Sequence, residues 1–263
     1  MNNTPLVYIV ILIYNNTDEV MECIESLHKI SYPRYRILLI DNDSPDGGGE
    51  VISQRYPQHE FIANAENLGF ARGCNVGIRY ALEHGADYVL LLNGDMLVEP
   101  DFLEPMVEIM QSDSKAGLAS GKILSLRNQN EIWYAGGRVD LWRGQLVVDH
   151  YRESDKLPKG PPIPTRFCTG AMMLIPRRVL THVGLLPEEY FFGVEEWDYS
   201  LNVMRHGYTL FFVPEAIAYH YAAGSVKGRS IKYHYGFYRN KLIFQKKYLP
   251  KPLFWIWKIC FSI

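Results

Sequence analysis

Short apolar runs alternate with helix-like segments through the first hundred residues, and this alternation restricts the fold more than any other feature of the chain. Val7–Ile13 is one such run, and others lie at residues 36–40, 60–63 and 88–92. Runs without polar alternation are typical of strands buried on both faces of a parallel sheet. The order predicts an α/β fold built on a doubly wound, mostly parallel sheet.

Helical periodicity fills the intervals between these runs. We expect helices at about residues 16–28, 71–84, 177–183 and 196–206, and a short helix that ends at residue 55. Beyond residue 115 we expect strands at residues 118–123, 167–175 and 210–213, with a hairpin and a loop across 125–165. No stretch has the composition of a linker, so the chain is expected to form one main domain.

Acidic residues follow three of the apolar runs. Asp41 follows residues 36–40, Asn93-Gly94-Asp95 follows residues 88–92, and the sequence Glu195-Glu196-Trp197-Asp198 follows the apolar residues 190–192. The carboxyl ends of parallel strands meet at one edge of a sheet, where open α/β sheets bind ligands. We therefore expect a metal ligand and a candidate general base at that edge.

Asp41 and Asp95 each have two interpretations from position alone. Asp41 can accept hydrogen bonds from a nucleobase or ribose, or it can cap the following loop as an Asx-turn. Asp95 can hold Mg²⁺ or Mn²⁺ against a diphosphate, because these cations share oxygen ligands with substrate phosphates. Alternatively, Asn93-Gly94 forms an ordinary turn.

The cluster at residues 195–198 opens a predicted helix. Glu195 and Asp198 are three positions apart and share a face, whereas Glu196 points elsewhere. Carboxylates in a first turn also favour the helix dipole, which is the simpler interpretation. Three carboxylates beside Phe191 and Phe192 exceed what capping requires, and apolar surroundings raise a carboxyl pKa toward that of a useful base.

The carboxyl-terminal part of the chain is basic. Net charge is −2 over 263 residues, yet no Asp or Glu follows Glu215, and nine Lys or Arg residues lie beyond it. Such a distribution favours phosphate or an anionic membrane surface as a partner, although a solvated basic helix explains it equally. Tryptophans beside lysines in residues 253–263 suit an interfacial helix, and the stretch is shorter than the roughly 20 residues that span a bilayer.

Single features in this region are weaker. His220 lies among aromatic residues and is either structural or a metal ligand. Lys227 and Arg229 follow it, and such cations can neutralise a leaving diphosphate.

The four cysteines are scattered, which predicts free thiols in a reducing compartment.

Seven short motifs occur in a fixed order across residues 5–245. They lie at residues 10–15, 40–44, 67–78, 91–95, 169–178, 191–198 and 213–220. Together they resemble glycosyltransferase family 2, of the GT-A fold, and in particular its rhamnosyltransferase-like members. The resemblance implies a single GT-A catalytic domain at 1–245, with a nucleotide-sugar-binding half at 1–115 and an acceptor-binding half at 116–245, followed by a membrane-associating segment at 246–263.

The resemblance also assigns roles by position. Asp95 would hold Mn²⁺ or Mg²⁺, with His220 as a further ligand, and Glu196 would be the catalytic base, although the family usually has Asp there. Glu195, Trp197 and Asp198 would bind the acceptor. The donor site would comprise Tyr14, Asn15, Asp41, Asn67, Arg72, Asn75, Asn93, Lys227 and Arg229.

The implied activity is inverting transfer of a hexose, such as rhamnose, from a dTDP- or UDP-sugar to a saccharide or lipid-linked acceptor in cell-surface polysaccharide synthesis. The expected location is the cytoplasm, with peripheral contact to the inner face of the membrane and no nucleic acid partner. A non-catalytic sugar-nucleotide-binding module remains an alternative. A sugar nucleotidyltransferase would need a Gly-rich phosphate loop after the first strand, where this chain has Tyr14-Asn15-Asn16-Thr17.

Overall fold

A computed structural model describes residues 4–221 and 231–261 of the protein. The strands in these ranges are β1 Val7–Ile13, β2 Tyr35–Asp41, β3 Glu60–Ala63, β4 Tyr88–Asn93, β5 Met96–Val98, β6 Ala116–Ser125, β7 Ile132–Tyr134, β8 Gly137–Asp140, β9 Gln145–Val148, β10 Ile163–Thr165, β11 Met172–Pro176 and β12 Thr209–His220. The helices are α1 Thr17–Leu27, α2 Gly48–Arg55, α3 Gly69–Glu83, α4 Leu103–Ser112, α5 Arg177–His182, α6 Glu195–Arg205, α7 Ile231–Tyr248 and α8 Lys251–Phe261.

The main sheet has the strand order β10-β12-β6-β11-β4-β1-β2-β3, with β5 attached to β12 and β7 to β6. β1 pairs in parallel with β2 and β4, and β2 pairs in parallel with β3. The predicted α/β fold with a mostly parallel central sheet is therefore confirmed. β8 and β9 form a separate antiparallel hairpin within the stretch expected to contain one.

Strand β11 differs from the prediction in length and direction. It runs antiparallel to β4 and β6, so that the sheet is mixed. It also begins at Met172 rather than at residue 167, because residues 167–171 leave the sheet before β11 starts. The displaced segment includes Thr169-Gly170-Ala171, which becomes part of the candidate site.

Strand β12 is much longer than the predicted residues 210–213. It pairs in parallel with β6 and its register shifts between Val213 and Ile217. After this irregularity β12 continues to His220, and its last residues also pair with β5 in antiparallel orientation. The extension carries His220 to the turn that follows β4.

Helices cover both faces of the sheet. Val7, Ile9, Ile11 and Ile13 of β1 face a core completed by α1, α2 and α4, whereas Tyr8 and Val10 face a second core with α3, α5 and part of α6. This alternation follows from the two-residue period of a strand. It explains why β1 is apolar throughout, since both of its faces are buried.

The acidic cluster is not preceded by a strand, which contradicts that expectation. Tyr190 is buried, but Phe191 and Phe192 are 57% and 42% exposed in an irregular loop. The cluster reaches the sheet edge through α6, whose first turn it forms. Within the described ranges, no helix has both the length and the apolarity needed to cross a bilayer.

Candidate active site

Asp95 and His220 meet at the carboxyl end of β4. Nε2 of His220 lies 3.1 Å from Oδ1 of Asp95, and the backbone N–H of Tyr221 donates to the Asp95 carbonyl at 3.0 Å. Pairing of β5 with β12 places His220 opposite Met96, next to Asp95. The imidazole is buried and packs edge-on against Trp133, and its Nδ1 has no hydrogen-bond partner among the described residues.

The turn that carries Asp95 is fixed on both sides. The N–H of Asn93 donates to the carbonyl of Ala171 at 3.0 Å, and the Cys23 thiol lies 3.8 Å from the Asn93 carbonyl. A Cβ on Gly94 would lie only 2.4 Å from Cγ2 of Val20. Glycine is therefore required here for close packing against α1.

Glu196 lies in the first turn of α6 and is partly buried. Its Oε2 accepts hydrogen bonds from the Gly170 N–H and from the Thr169 hydroxyl, the latter at 3.3 Å. Burial raises the pKa of Glu196 to about 7, although these hydrogen bonds oppose the shift. A carboxyl with this pKa is half ionised near neutral pH, as a general base requires.

The segment Thr169-Gly170-Ala171 connects the two acidic positions. Gly170 donates to Glu196, and the next residue, Ala171, accepts from Asn93. Only Gly94 separates Asn93 from Asp95 in the sequence. The predicted metal ligand and the predicted base therefore belong to one region of the molecule, at the edge of the sheet where β4 ends.

Burial argues against the predicted acceptor binding by the three neighbours of Glu196. Trp197 is buried against Phe237 and Phe244. Asp198 is 1% exposed and accepts hydrogen bonds from Tyr190, Tyr248 and Lys247, which occupy its carboxylate. These side chains pack α6 against α7, and both are almost completely buried.

Glu195 is also too buried to contact an acceptor directly. It is 4% exposed, and its Oε2 has no hydrogen-bond partner in the part of the chain that the structure describes. Burial and the neighbouring Glu196 raise its pKa to about 8. Glu195 is therefore protonated over much of the pH range in which Glu196 ionises.

On the donor side, Asp41 ends β2 and is partly buried. Its Oδ1 accepts hydrogen bonds from the Ser44 hydroxyl at 2.6 Å and the Ser44 N–H at 3.3 Å. Hence the turn interpretation is satisfied, and Asp41 remains accessible for the predicted donor contact. A Cβ on Gly49 would lie 2.3 Å from the Asp41 carboxyl carbon, so the first turn of α2 packs directly on this side chain.

Tyr14 and Asn15 follow β1 at the same edge. Both are exposed, and Asn15 has a φ of +54°, a conformation that Asn tolerates better than most residues. The Asn15 N–H lies 3.4 Å from the Ser44 hydroxyl, which connects this turn to the Asp41 loop. Their predicted donor role remains a prediction.

Asn42 was not expected from the sequence to have a role of its own, yet it organises the loop before α3. It is 2% exposed, donates to Asn67 Oδ1 and the Gly69 carbonyl, and accepts from Asn64 and from the Leu68 N–H. Asn67 also accepts from the Gly69 N–H. Asn42 and Asn64 each lie at the end of an apolar run, which was the available signal, but one sequence cannot show which amides pair.

Asn75 and Arg72, also predicted to bind the donor, are on α3. Asn75 is fully buried and bonded to the Leu186 backbone and to Glu188, which argues against the predicted donor contact. Arg72 is exposed and lies 4.0 Å from Glu188. The predicted donor residues Lys227 and Arg229 lie outside the described residues.

Comparison with known proteins identifies the family. Residues 8–184 match Glycosyl transferase family 2. An N-acetylglucosaminyl-diphospho-decaprenol L-rhamnosyltransferase of Mycobacterium tuberculosis is 24% identical over 242 residues, covering 84% of this chain and 78% of the relative. A poly-β-1,6-N-acetyl-D-glucosamine synthase of Staphylococcus epidermidis is 27% identical over 213 residues, 78% of this chain, but this chain spans only 49% of the synthase.

Solved structures share the fold at low sequence identity. GalNAc-T7 with UDP, GalNAc and Mn²⁺ superposes with a TM-score of 0.72 and 20% identity, over 91% of this chain and 48% of that protein. The mannosyltransferase PcManGT from Pyrobaculum calidifontis, in complex with GDP-Man and Mn²⁺, superposes with a TM-score of 0.66 and 17% identity, over 96% of this chain and 69% of that protein. The chain belongs to glycosyl transferase family 2 and is a glycosyltransferase with the GT-A fold.

Proposed function

We propose that this glycosyltransferase moves a hexosyl group from a nucleoside-diphosphate sugar to a hydroxyl of a saccharide or lipid-linked acceptor, with inversion at the anomeric carbon. The observation that carries the proposal is the connection of Glu196 to the Asp95 turn through residues 169–171. A base and a diphosphate-binding position at one edge of the sheet are what a single displacement needs.

Asp95 and His220 are the residues that would hold Mn²⁺ or Mg²⁺. They present one carboxylate and one imidazole 3.1 Å apart, and within the described residues the buried ring makes no hydrogen bond other than the contact of Nε2 with Asp95. Among the described residues, no three His, Cys, Asp or Glu side chains converge as a self-sufficient metal site. The donor diphosphate would supply further oxygens, and the bound cation would offset the negative charge of the leaving group.

Glu196 is the proposed base. The acceptor hydroxyl loses its proton to the Glu196 carboxylate while its oxygen attacks the anomeric carbon, and the bond from that carbon to the diphosphate oxygen breaks. The Gly170 N–H and Thr169 hydroxyl orient the carboxylate. With a pKa of about 7, Glu196 accepts this proton at neutral pH and releases it afterward to solvent.

The donor half of the site is proposed to lie at residues 1–115 and the acceptor half at 116–245. Asp41, Tyr14, Asn15 and Asn67 lie at or beside the carboxyl ends of β1 and β2, as a nucleotide site requires. We take the donor to be dTDP- or UDP-linked, and rhamnose is the first sugar to test, because the mycobacterial relative is named as an L-rhamnosyltransferase.

For the acceptor we propose contact with Phe191 and Phe192, in place of the buried neighbours of Glu196. Both rings are exposed. The Phe191 carbonyl accepts the Phe70 N–H at 2.9 Å, and the Phe70 ring lies beside Gly170, which binds Glu196. An exposed aromatic surface next to the base can stack on a sugar ring.

Helix α8 supports peripheral contact with the cytoplasmic face of a membrane. Trp257 fixes the helix to the protein, while Leu253, Trp255, Ile256 and Ile259 are 40–69% exposed, and Lys258 lies over the Trp255 ring. Apolar side chains flanked by lysines bind anionic interfaces. W255E/I259E should lower co-sedimentation with phosphatidylglycerol vesicles relative to V51E, an exposed apolar position on α2, and equal binding of both variants would refute this contact.

The transferase proposal is tested by nucleotide release from dTDP- and UDP-sugars, with and without Mn²⁺, in the presence of candidate acceptors. The donor is first selected by thermal shift, because a ligand that binds only the folded state raises its apparent stability. Acceptor-dependent nucleotide release that is lost in E196Q supports the proposal. Donor binding without release under any acceptor would instead indicate a non-catalytic sugar-nucleotide-binding role.

A further inference from the structure

The turn immediately before Glu195 and Glu196 has a disfavoured backbone conformation. Gly193 and Val194 have φ values of +79° and +82°. Glycine adopts this region freely, but a β-branched residue such as valine rarely does. Backbone strain of this kind persists only where surrounding structure enforces it, and it concentrates at functional sites.

Val194 determines how α6 begins. Its carbonyl accepts the N–H groups of Trp197 and Asp198 at 3.0 and 3.1 Å, and these are the first hydrogen bonds of the helix. Glu196 lies within this turn. A rotation of the Val194 backbone would therefore change the direction of the Glu196 side chain and its position relative to Gly170.

Helix α7 holds this turn from the other side. Asn240 is 1% exposed, and its Nδ2 donates to the carbonyls of Phe192 and Gly193 at 3.0 and 3.2 Å. Phe237 lies one turn earlier on α7, and a Cβ on Gly193 would meet its ring at 2.9 Å. Residues three positions apart share a helix face, so both contacts act on the same side of the turn.

We propose that Asn240 is a positioning residue that keeps the Gly193–Val194 turn in its left-handed conformation and thereby aligns Glu196 with the acceptor hydroxyl. The inference rests on the proposed base role of Glu196. Asn240 touches neither of the predicted metal ligands, and its effect is transmitted through the backbone of residues 192–196.

The test combines N240L with V194G. In N240L the two carbonyls lose their shared donor, Val194 relaxes toward ordinary φ values, and kcat should fall roughly 10–100-fold, since misplacement by about 1 Å costs on that order. KM for the donor should be unchanged. V194G removes the steric penalty of a left-handed valine, so kcat of the double variant N240L/V194G should be about tenfold higher than that of N240L. V194G alone should resemble the parent.

A second readout is the pH profile. When Glu196 moves away from Gly170 and Thr169, it loses the hydrogen bonds that oppose its raised pKa, so the midpoint of the kcat/KM profile should move to higher pH in N240L. The matched control is Q245L. Gln245 is a fully buried amide on the same helix whose side-chain polar atoms have no hydrogen-bond partner within the described ranges, and it lies against Gly144. Its kcat and pH midpoint should match the parent.

The proposal is overturned if N240L lowers the melting temperature but leaves kcat and the pH midpoint of the folded enzyme unchanged, or if V194G fails to restore N240L. Should N240L not fold, N240A provides the same test, because it removes the donating amide without placing a larger apolar group or a carboxyl beside the two carbonyls. E196Q separates the two levels of the argument: if E196Q retains full turnover, the base assignment fails, whatever Asn240 does.

Discussion

Nε2 of His220 lies 3.1 Å from Oδ1 of Asp95, although 125 positions separate the two residues in the chain. The contact exists because β12 extends past its register shift and pairs with β5, directly after Asp95. A cation bound at Asp95 would therefore have an imidazole within reach.

Removal of His220 should weaken metal binding. H220A is expected to raise the Kd for Mn²⁺ at least roughly tenfold in the presence of UDP or dTDP, because even the loss of a group that only orients a metal ligand costs about 10–100-fold. Electron paramagnetic resonance of free Mn²⁺ measures this directly. H28A, which changes the histidine at the carboxyl-terminal cap of α1, is the control, and equal Mn²⁺ affinity of the two variants would exclude His220 from the site.

Turnover should depend on the ionisation of Glu196. Because burial raises the pKa of Glu196 to about 7 and the base acts as a carboxylate, kcat/KM for the acceptor should rise about tenfold per pH unit below that value and level off above it. E196Q should lower turnover roughly 10²–10⁴-fold and abolish this limb of the profile. A profile in E196Q with the same midpoint as the parent would assign the titration to another group.

Because of Glu195, the free energy of unfolding should decrease as pH rises. Its pKa is raised to about 8 by burial and by Glu196, above the ordinary value of 4.5. The folded state therefore binds the proton more tightly, so the stabilisation is fully present below pH 4.5 and is lost as pH rises through 8. E195Q, which is always neutral, should melt roughly 2–4 °C above the parent at pH 8.5 and at nearly the same temperature at pH 5. An equal difference at both pH values would contradict this origin.

Asp198 should contribute to stability rather than to acceptor binding. Its buried carboxylate accepts hydrogen bonds from Lys247 and Tyr190, each at 2.7 Å, and from Tyr248. D198N should reduce the free energy of unfolding by about 1.5–3 kcal/mol, the usual range for hydrogen bonds to a charged group. E189Q is the control, since Glu189 contacts the same Lys247 at 3.5 Å on the exposed surface and should cost less than about 1 kcal/mol. Chemical denaturation measures the free energy of unfolding of both variants. Similar losses in D198N and E189Q would show that burial does not strengthen the hydrogen bonds of Asp198.

The amino-terminal half of the fold could be predicted from sequence because its signals are local. Val7–Ile13 is apolar at every position because both of its faces are buried, and Gly85 follows α3 in the left-handed conformation that ends helices. The positions of Asp41 and Asp95 at strand ends follow from the same local patterns. These signals depend on periods of about two and 3.6 residues, which a single sequence displays.

Tertiary structure decided the remainder of the site. Local sequence does not encode the antiparallel direction of β11, the pairing of β5 with β12, or the burial of Asn75 and Asp198 by residues far along the chain. Asn240 is an ordinary helical residue in the sequence, and only its contact with the Gly193 carbonyl distinguishes it. Local sequence patterns specify which segments become strands and helices and which of them end in acidic residues. Pairing and packing between distant segments specify which of those acidic residues meet. Such contacts depend on the shape of the whole core and not on the period of any one segment.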